Sequence, residues 1–265
     1  MSAGLRIFSY LPNPRIAKAT IAARLCGVEV ELRGAAVAEL SGWLWDYDAR
    51  PLDAEAQVQF AHLTHHGKTG FSAPLFKTPQ FLRAHPFGTV PAAFGPGGDI
   101  GIFESNSIMR AVARLREGKH GLYGQDAYSA SRIDSFLDVS LVFARDVQLY
   151  VLALRDGSIA NPLHASAGRA LRAYLGGIEQ ALQASCAHIA GDELSLADIT
   201  YAAELALLHN ENLHHPLPAR GHLPPLLGDG LRQAFPLAWS HFDALIAHPA
   251  FAPDLGPYLD ELKAG

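Results

Sequence analysis

The first candidate catalytic residues lie where an apolar run ends and a helix is predicted to begin. Ser9 and Tyr10 end the run that begins at Leu5, and Asn13-Pro14 follow in the order typical of a helix N-cap and first helical residue. Unpaired backbone N–H groups and the positive end of a helix dipole favour an anion there.

A thiolate is one such anion. Lowering a thiol pKa by about two units needs roughly 2.7 kcal/mol, which one charge-assisted hydrogen bond and the helix dipole can supply. The sequence therefore predicts that a bound thiol is activated near Asn13, with Ser9 and Tyr10 as substitutes. The alternative is that Asn13 only caps the helix.

A second candidate is Thr89-Val90-Pro91, which precedes a predicted strand. An X-Pro peptide bond adopts the cis form at low cost, and a cis bond would turn the preceding backbone groups toward an extended peptide ligand. The alternative is an ordinary trans proline at the start of an edge strand.

A third candidate is Glu104-Ser105-Asn106, at a predicted junction between a strand and a helix. A serine hydroxyl and helix N–H groups can hold a carboxylate, while Glu104 binds an ammonium group. An amino-acid head group needs both. The alternative is again capping, because a glutamate in a first helical turn also offsets the dipole.

The elements that must position these residues form two groups. In the first, a strand–helix–strand unit is predicted at 5–10, 14–26 and 28–32, then a short helix at 77–82 capped by Thr78, a hairpin at 90–94 and 100–103, and a helix at 105–116. In the second, helices are predicted at 132–154, 165–188, from a capping box at Ser195, 234–247 and 257–263, with a loop at 210–231.

This order predicts an α/β domain at 1–120 and an all-helical domain at 121–265. Residues 34–76 show no clear periodicity and are interpreted as an insertion in the first domain. Their aromatic residues Trp43, Trp45 and Tyr47 either cover an aromatic ligand or anchor the insertion to the core. A third possibility is that the insertion blocks the site.

Composition excludes several classes of protein. The chain has 265 residues, 49% of them hydrophobic and 18% charged, which is typical of a globular protein. A net charge of -5 disfavours nucleic acid as a partner. The most apolar long stretch, 136–154, is interrupted by charged residues, and the first residues lack the plan of a signal peptide. We therefore expect a cytoplasmic protein without a membrane partner.

Two cysteines without a CxxC pattern predict neither a disulfide framework nor a cysteine zinc site. Histidines form two clusters in the sequence, but without a recurring metal-binding spacing, so no metal site is predicted. We expect these histidines to lie in loops or to line the site of an acceptor ligand. The two clusters are His62, His65 and His66, and His209, His214, His215 and His222.

The order of three segments resembles the N-terminal domain of the soluble glutathione S-transferases: Lys77-Thr78-Pro79-Gln80-Phe81-Leu82, then Pro86-Phe87-Gly88-Thr89-Val90-Pro91-Ala92, then Phe103-Glu104-Ser105-Asn106-Ser107-Ile108. The likeness is closest to the branch with phi-type plant enzymes and the transferase-like domain of elongation factor 1 gamma. Ser195-Leu196-Ala197-Asp198-Ile199 matches that family's capping-box motif. The resemblance implies a thioredoxin-like domain that binds glutathione, an all-α domain lining a pocket for a hydrophobic acceptor, and a dimer.

Roles for individual residues follow from the resemblance. It implies that Val90, before a cis Pro91, pairs with the cysteinyl backbone of glutathione, and that Glu104 and Ser105 hold its γ-glutamyl end. Lys77 becomes a candidate for the glycyl carboxylate. The sequence departs from the family pattern at Phe76, where histidine is usual, and at Thr89, where Lys or Gln is usual.

The catalytic position departs too, because Asn13-Pro14 stands where Ser or Cys precedes proline in the serine- and cysteine-type branches. An amide can donate to a thiolate but cannot form a mixed disulfide, which argues against thiol-disulfide reductase chemistry. The expected reaction is therefore conjugation of glutathione to a hydrophobic or aromatic acceptor, or β-aryl ether cleavage. The alternative is a non-catalytic binding or assembly domain, as in the elongation-factor relatives.

Overall fold

The protein is described by a computed structural model over residues 4–67, 71, 73–116, 121–157, 159–184, 187–214 and 223–264. The chain divides into two compact units, residues 1–117 and 118–265. The first unit contains β1 (Leu5–Tyr10), α1 (Pro14–Cys26), β2 (Val30–Ala35), β3 (Trp43–Trp45), β4 (Arg50–Pro51), α2 (Ala54–Gln59), β5 (Thr64–His65), β6 (Leu75–Lys77), α3 (Pro79–Ala84), β7 (Ala92–Phe94), β8 (Gly101–Phe103) and α4 (Ser105–Leu115).

The main sheet of the first unit has the strand order β2-β1-β7-β8. β1 and β2 are parallel and are joined through α1, while β7 runs antiparallel to both β1 and β8. The predicted strand–helix–strand unit and hairpin are therefore present. β2 begins at Val30 and extends to Ala35, later than the predicted 28–32, because Gly27 ends α1 in the left-handed conformation and a short connection follows.

The segment 34–76, for which no regular structure was predicted, contributes to a second sheet with the order β4-β3-β6-β5. Its strands are two or three residues long, too short to show a period of two in the sequence. Trp45 is buried among aromatic residues, with its ring centroid 5.3 Å from that of Phe8 and 6.0 Å from that of Phe81. This burial supports the anchoring interpretation for Trp45.

The second unit is helical, with α5 (Ala127–Arg155), α6 (Asn161–Gln183), α7 (Leu196–Leu208), α8 (Asp229–Ala234), α9 (Pro236–Ala247) and α10 (Ala252–Ala264). α7 is buried along its whole length, and α5, α9 and α10 pack against it. The predicted fold class, an α/β thioredoxin-like unit followed by an all-α unit, is confirmed. Among the described residues, no helix combines the length and hydropathy needed to cross a bilayer.

Several helix bounds differ from the prediction. α6 begins at Asn161 and ends at Gln183, not at 165 and 188, because Pro162 occupies its first turn. α10 begins at Ala252, so Pro257 lies inside the helix instead of starting it. The predicted loop at 210–231 contains a 3-10 turn, His209–His214, and part of α8. Residues 215–222 of that loop lie outside the described part of the chain, as does Cys186.

The turn between β7 and β8 provides a test of how the insertion is held. Gly97 and Gly98 have φ of 95° and 81°, but only at Gly98 would an added Cβ meet another residue, lying 2.6 Å from Cγ of Tyr47. Both G97A and G98A should lose about 1 kcal/mol or more through backbone strain. G98A should lose about 1 to 3 kcal/mol more, because the Tyr47 ring must move. Urea unfolding followed by tryptophan fluorescence measures the difference, and equal losses would contradict it.

Candidate active site

Three of the predicted segments meet at one end of the main sheet. Phe8 of β1 is paired with Ala92 of β7, and Ala92 is paired with Phe103 of β8. The strands on either side of β7 are antiparallel to it. The end of β1, the residues preceding β7 and the start of α4 therefore lie side by side, which brings together Ser9, Tyr10, Val90, Pro91, Glu104 and Ser105. The Val90–Pro91 peptide bond is cis.

Asn13 lies at the N-cap of α1, beside the end of β1. Its Oδ1 accepts a hydrogen bond from the backbone N–H of Arg15 at 3.0 Å, so the residue does cap the helix. Its Nδ2 also donates to Oγ of Ser9 at 3.2 Å, and both side chains are buried. Tyr10 is half-buried and packs against the aromatic cluster around Phe8. Asn13 and Ser9 thus form one polar pair at the helix N-terminus.

Glu104 is the N-cap residue of α4, but its side chain makes no capping hydrogen bond. The capping interpretation therefore does not account for this glutamate. Its backbone has φ 65° and ψ 125°, the one positive φ at a non-glycine residue in the described part of the chain. Such a conformation costs about 1 to 3 kcal/mol and is concentrated at functional sites. The carboxylate is exposed at the positive end of the α4 dipole.

A residue that the sequence analysis missed connects α1 to the start of α4. Lys18 is completely buried, and its Nζ donates to Oδ1 of Asn106 at 2.8 Å and to Oγ of Ser105 at 3.3 Å. Lysine is almost never fully buried unless its ammonium group is paired. A signal existed in the sequence, because helical spacing puts Lys18 on the same stripe as Pro14 and Ile21, which are apolar.

Lys77, predicted to bind a ligand carboxylate, is buried at the end of β6. Its Nζ donates to the carbonyl oxygen of Gly88 at 2.7 Å and lies 4.9 Å from the centroid of the Trp45 ring. Lys77 therefore braces the backbone that leads into Thr89 and Val90. Thr89 itself is exposed.

His85, also missed from the sequence, lies beneath the same segment. Its ring stacks on Phe103 with centroids 4.7 Å apart, and its Nε2 lies 3.3 Å from Oγ1 of Thr89. Burial lowers the pKa of His85 to about 4, against a smaller opposing effect of Thr89. The positive charge of Lys77 lowers this pKa further. The imidazole of His85 is therefore neutral near pH 7, and its contact with Thr89 holds the segment 86–91 against the sheet.

The histidine clusters noted in the sequence do not converge in the described residues. His62, His65 and His66 are exposed, and His209 is half-buried, with its ring stacked 5.7 Å from that of Phe242. His215 and His222 lie outside the described part of the chain.

Solved structures of other proteins share this fold. Glutathione transferase E6 of Drosophila melanogaster aligns with a TM-score of 0.64 at 16% identity, over 98% of this chain and 94% of that one. A structure of glutathione S-transferase-I bound with lactoylglutathione aligns with a TM-score of 0.63 at 18% identity, over 96% and 99%. The fold is that of the soluble glutathione S-transferases.

Sequence comparison identifies two kinds of relative. The chain is 34% identical to elongation factor 1-gamma 3 of Oryza sativa subsp. japonica over 131 residues, which is 49% of this chain and 30% of that protein. It is 28% identical to the glutathione S-transferase-like protein FUS3 of Gibberella moniliformis over 210 residues, 77% of each chain. The predicted resemblance to the elongation factor 1 gamma-like branch of these transferases is confirmed.

No protein-family model matches the sequence. The chain spans about 30 to 40% of the length of the first four elongation-factor relatives that it matches.

The contribution of Lys18 can be measured with a double-mutant cycle. K18M leaves Ser105 and Asn106 without their buried donor and should cost about 1 to 3 kcal/mol in the free energy of unfolding. N106L leaves a buried ammonium under-paired and should cost about 3 to 5 kcal/mol. The double variant should lose less than the sum, and K263M, at an exposed lysine, should change stability by about 0.5 kcal/mol or less. Urea unfolding of the four variants gives these free energies, and strict additivity would contradict the pairing.

The lowered pKa of His85 predicts a pH dependence. Its folded-state pKa is about 4 against an ordinary 6.5, so the unfolded chain takes up this proton first as pH falls. The stability that neutral His85 contributes is complete above about pH 6.5 and is lost toward pH 4, by up to about 3 kcal/mol. H85F keeps the ring stacking and should flatten this loss in urea-unfolding midpoints, whereas H62Q, at an exposed histidine, should not. An H85F profile parallel to that of the parent would refute the assignment.

Proposed function

We propose that this protein is a glutathione transferase that binds glutathione across the end of the main sheet. The observation that carries the proposal is the pairing of Phe8 with Ala92 and of Ala92 with Phe103. This pairing sets a polar helix N-terminus, an exposed backbone segment and an exposed carboxylate side by side. Those three features match the thiol, the peptide backbone and the ammonium group of glutathione.

In the proposed complex, the γ-glutamyl end lies at the N-terminus of α4. The exposed carboxylate of Glu104 binds the ammonium group, and the first-turn N–H groups of α4 with the Ser105 hydroxyl bind the carboxylate. Lys18 supports this arrangement, because its ammonium holds Oγ of Ser105 and adds positive charge behind the anion. The strained backbone of Glu104 fits a residue held in position for a ligand.

The rest of the tripeptide follows the residues before β7. The cysteinyl backbone pairs with the backbone of Val90, as an added strand pairs with a sheet edge. Lys77 supplies positive charge for the glycyl carboxylate from its place beside Gly88, and Thr89 provides an exposed hydroxyl next to it. This arrangement places the cysteinyl sulfur toward Ser9, Tyr10 and Asn13.

The proposed reaction is nucleophilic substitution. The thiol loses its proton to solvent, and the thiolate is stabilised by the α1 N-terminus and the amide N–H of Asn13. Its sulfur attacks an electrophilic carbon of a hydrophobic or aromatic acceptor, forming a C–S bond. The bond from that carbon to the leaving group breaks, and the leaving group departs with the electron pair. In β-aryl ether cleavage, the leaving group is a phenolate.

The role of Asn13 can be separated from its role as a cap. Aspartate is as good an N-cap as asparagine, but it has no N–H to donate and would repel a thiolate. N13D should therefore keep the capping hydrogen bond to Arg15, while kcat falls about 10-fold or more with little change in glutathione affinity. N13A should lose the donor and about 1 kcal/mol of stability.

Steady-state kinetics with an aromatic electrophile and calorimetric titration with glutathione provide these values. Parent-like turnover of N13D would remove Asn13 from the mechanism. S9A and Y10F would then identify the group that activates the thiol.

A second candidate function is a non-catalytic binding or assembly domain, favoured by the 34% identity to an elongation factor 1-gamma. Retention on immobilised glutathione and thiolate absorbance near neutral pH distinguish the two functions. An enzyme should show both, and E104Q should weaken retention without changing the fold. Retention without a thiolate signal, and without turnover of any electrophile, would favour the binding domain.

A further inference from the structure

A buried aspartate in the second unit lies between two histidines from distant parts of the chain. Asp198, in the first turn of α7, has no exposed surface. Nε2 of His241 lies 2.7 Å from its Oδ1, and Nδ1 of His188 lies 3.5 Å from the same oxygen. All three ligating atoms lie within 4.8 Å of one another. We propose that His188, Asp198 and His241 form a binding site for a divalent transition metal ion, best matched by Zn²⁺.

The donor set agrees with this ion. Two imidazoles and one carboxylate are ordinary protein ligands of zinc, and they favour transition metals over Mg²⁺ or Ca²⁺, which prefer oxygen donors. Tetrahedral ligands about 2.0 to 2.1 Å from a zinc ion lie roughly 3.3 Å from each other. The separation of His188 Nδ1 from Asp198 Oδ1 already matches this value. His241 would need to move outward by a few tenths of an ångström.

The carboxylate is held in place by groups that a metal ion would not disturb. Oδ2 of Asp198 accepts hydrogen bonds from the backbone N–H of Ser195 at 2.8 Å and from its hydroxyl at 2.9 Å. Oδ1 accepts from the backbone N–H of Ile189 at 3.0 Å. Outer hydrogen bonds of this kind orient a metal ligand before the ion binds.

One ring nitrogen is left without a satisfactory partner in the arrangement without metal. Nδ1 of His188 is buried, and its approach to Asp198 lacks hydrogen-bond geometry. A buried polar atom without a partner is uncommon and requires a reason. A metal ion bonded to this nitrogen would supply one, since coordination replaces a hydrogen bond that is not formed.

Charge and access also fit. Asp198 is fully buried, and its Oδ1 faces an imidazole nitrogen of both His188 and His241. A buried carboxylate is costly without a positive partner, and a divalent ion supplies that charge. The side chain of His188 is 26% exposed, so one of the proposed ligands borders solvent.

Binding requires no chemistry beyond proton displacement. Each imidazole coordinates through the nitrogen that now faces Asp198, and the hydrogen on that nitrogen moves to solvent or is carried by the other ring nitrogen. The protein is neither oxidised nor reduced. The carboxylate exchanges the N–H of His241 for a bond to the metal and keeps its bonds to Ser195 and Ile189.

The experiment titrates the full chain, stripped of metal with a chelator, with Zn²⁺ against a chromophoric zinc indicator. A parallel titration with Co²⁺ reports coordination through its visible ligand-field bands. The parent should bind one tight equivalent with an intense, tetrahedral-type Co²⁺ spectrum. H188Q and H241Q should each lose affinity by more than the roughly 10- to 100-fold typical of removing an outer partner. H62Q, at an exposed histidine in the first unit, should retain the tight equivalent.

Far-UV circular dichroism checks the fold of each variant. If H241Q unfolds because its ring also stacks beside Tyr201, H188Q decides the outcome, since His188 lies in a partly exposed turn. Absence of a tight equivalent in the parent would overturn the proposal. So would a tight equivalent that survives in folded H188Q. In either case the three residues would form a hydrogen-bonded group only.

Discussion

The first unit depends on a buried ammonium group that joins two helices. Lys18 of α1 has no exposed surface, and its Nζ is bonded to Asn106 and Ser105 in the first turn of α4. A buried charge is tolerated only when its donors are satisfied, so these bonds fix the first turn of α4 relative to α1. Because the N-terminus of each helix follows directly from a strand of the main sheet, one interaction sets the positions of both helix ends.

The consequences extend to the chemistry of the candidate site. A helix N-terminus attracts an anion weakly by itself, but two such ends held at the same end of a sheet offer separate places for a carboxylate and a thiolate. The protein needs no reactive cysteine under this proposal, since the ligand brings the sulfur. Cys26 of α1 is buried, and burial raises the pKa of its thiol. That environment is typical of an inert structural thiol.

The second unit uses the opposite charge in a comparable way. Asp198 is a buried carboxylate that accepts hydrogen bonds from the backbone N–H groups of Ser195 and Ile189 at the N-terminus of α7. Its Oδ1 also faces the imidazoles of His188 and His241. The capping box explains the bonds to Ser195. The capping box does not require two imidazoles beside the same carboxylate oxygen. The presence of both histidines is the reason for proposing a metal ion.

The features that depend on contacts between near neighbours in the chain were predictable from the sequence. The N-cap of α1, the Thr78 cap of α3, the β7–β8 hairpin and the Ser195 capping box are all present, because each depends on neighbours a few residues apart. The segment around Trp45 was not predictable, because strands of two or three residues carry no measurable period.

The contacts between polar groups far apart in the chain follow from the packing of the folded units and were not predictable from the sequence. Lys18 donates hydrogen bonds to Ser105 and Asn106, which lie 87 and 88 positions further along the chain. His241 contacts the carboxylate of Asp198 from 43 positions away, and the ring of His85 stacks on Phe103 of β8. Such contacts depend on how whole helices and strands pack, and a single sequence does not show how far apart two of these elements lie in the folded protein. The residue types along the chain established which chemistry was available, and the packing of the folded units established where it is assembled.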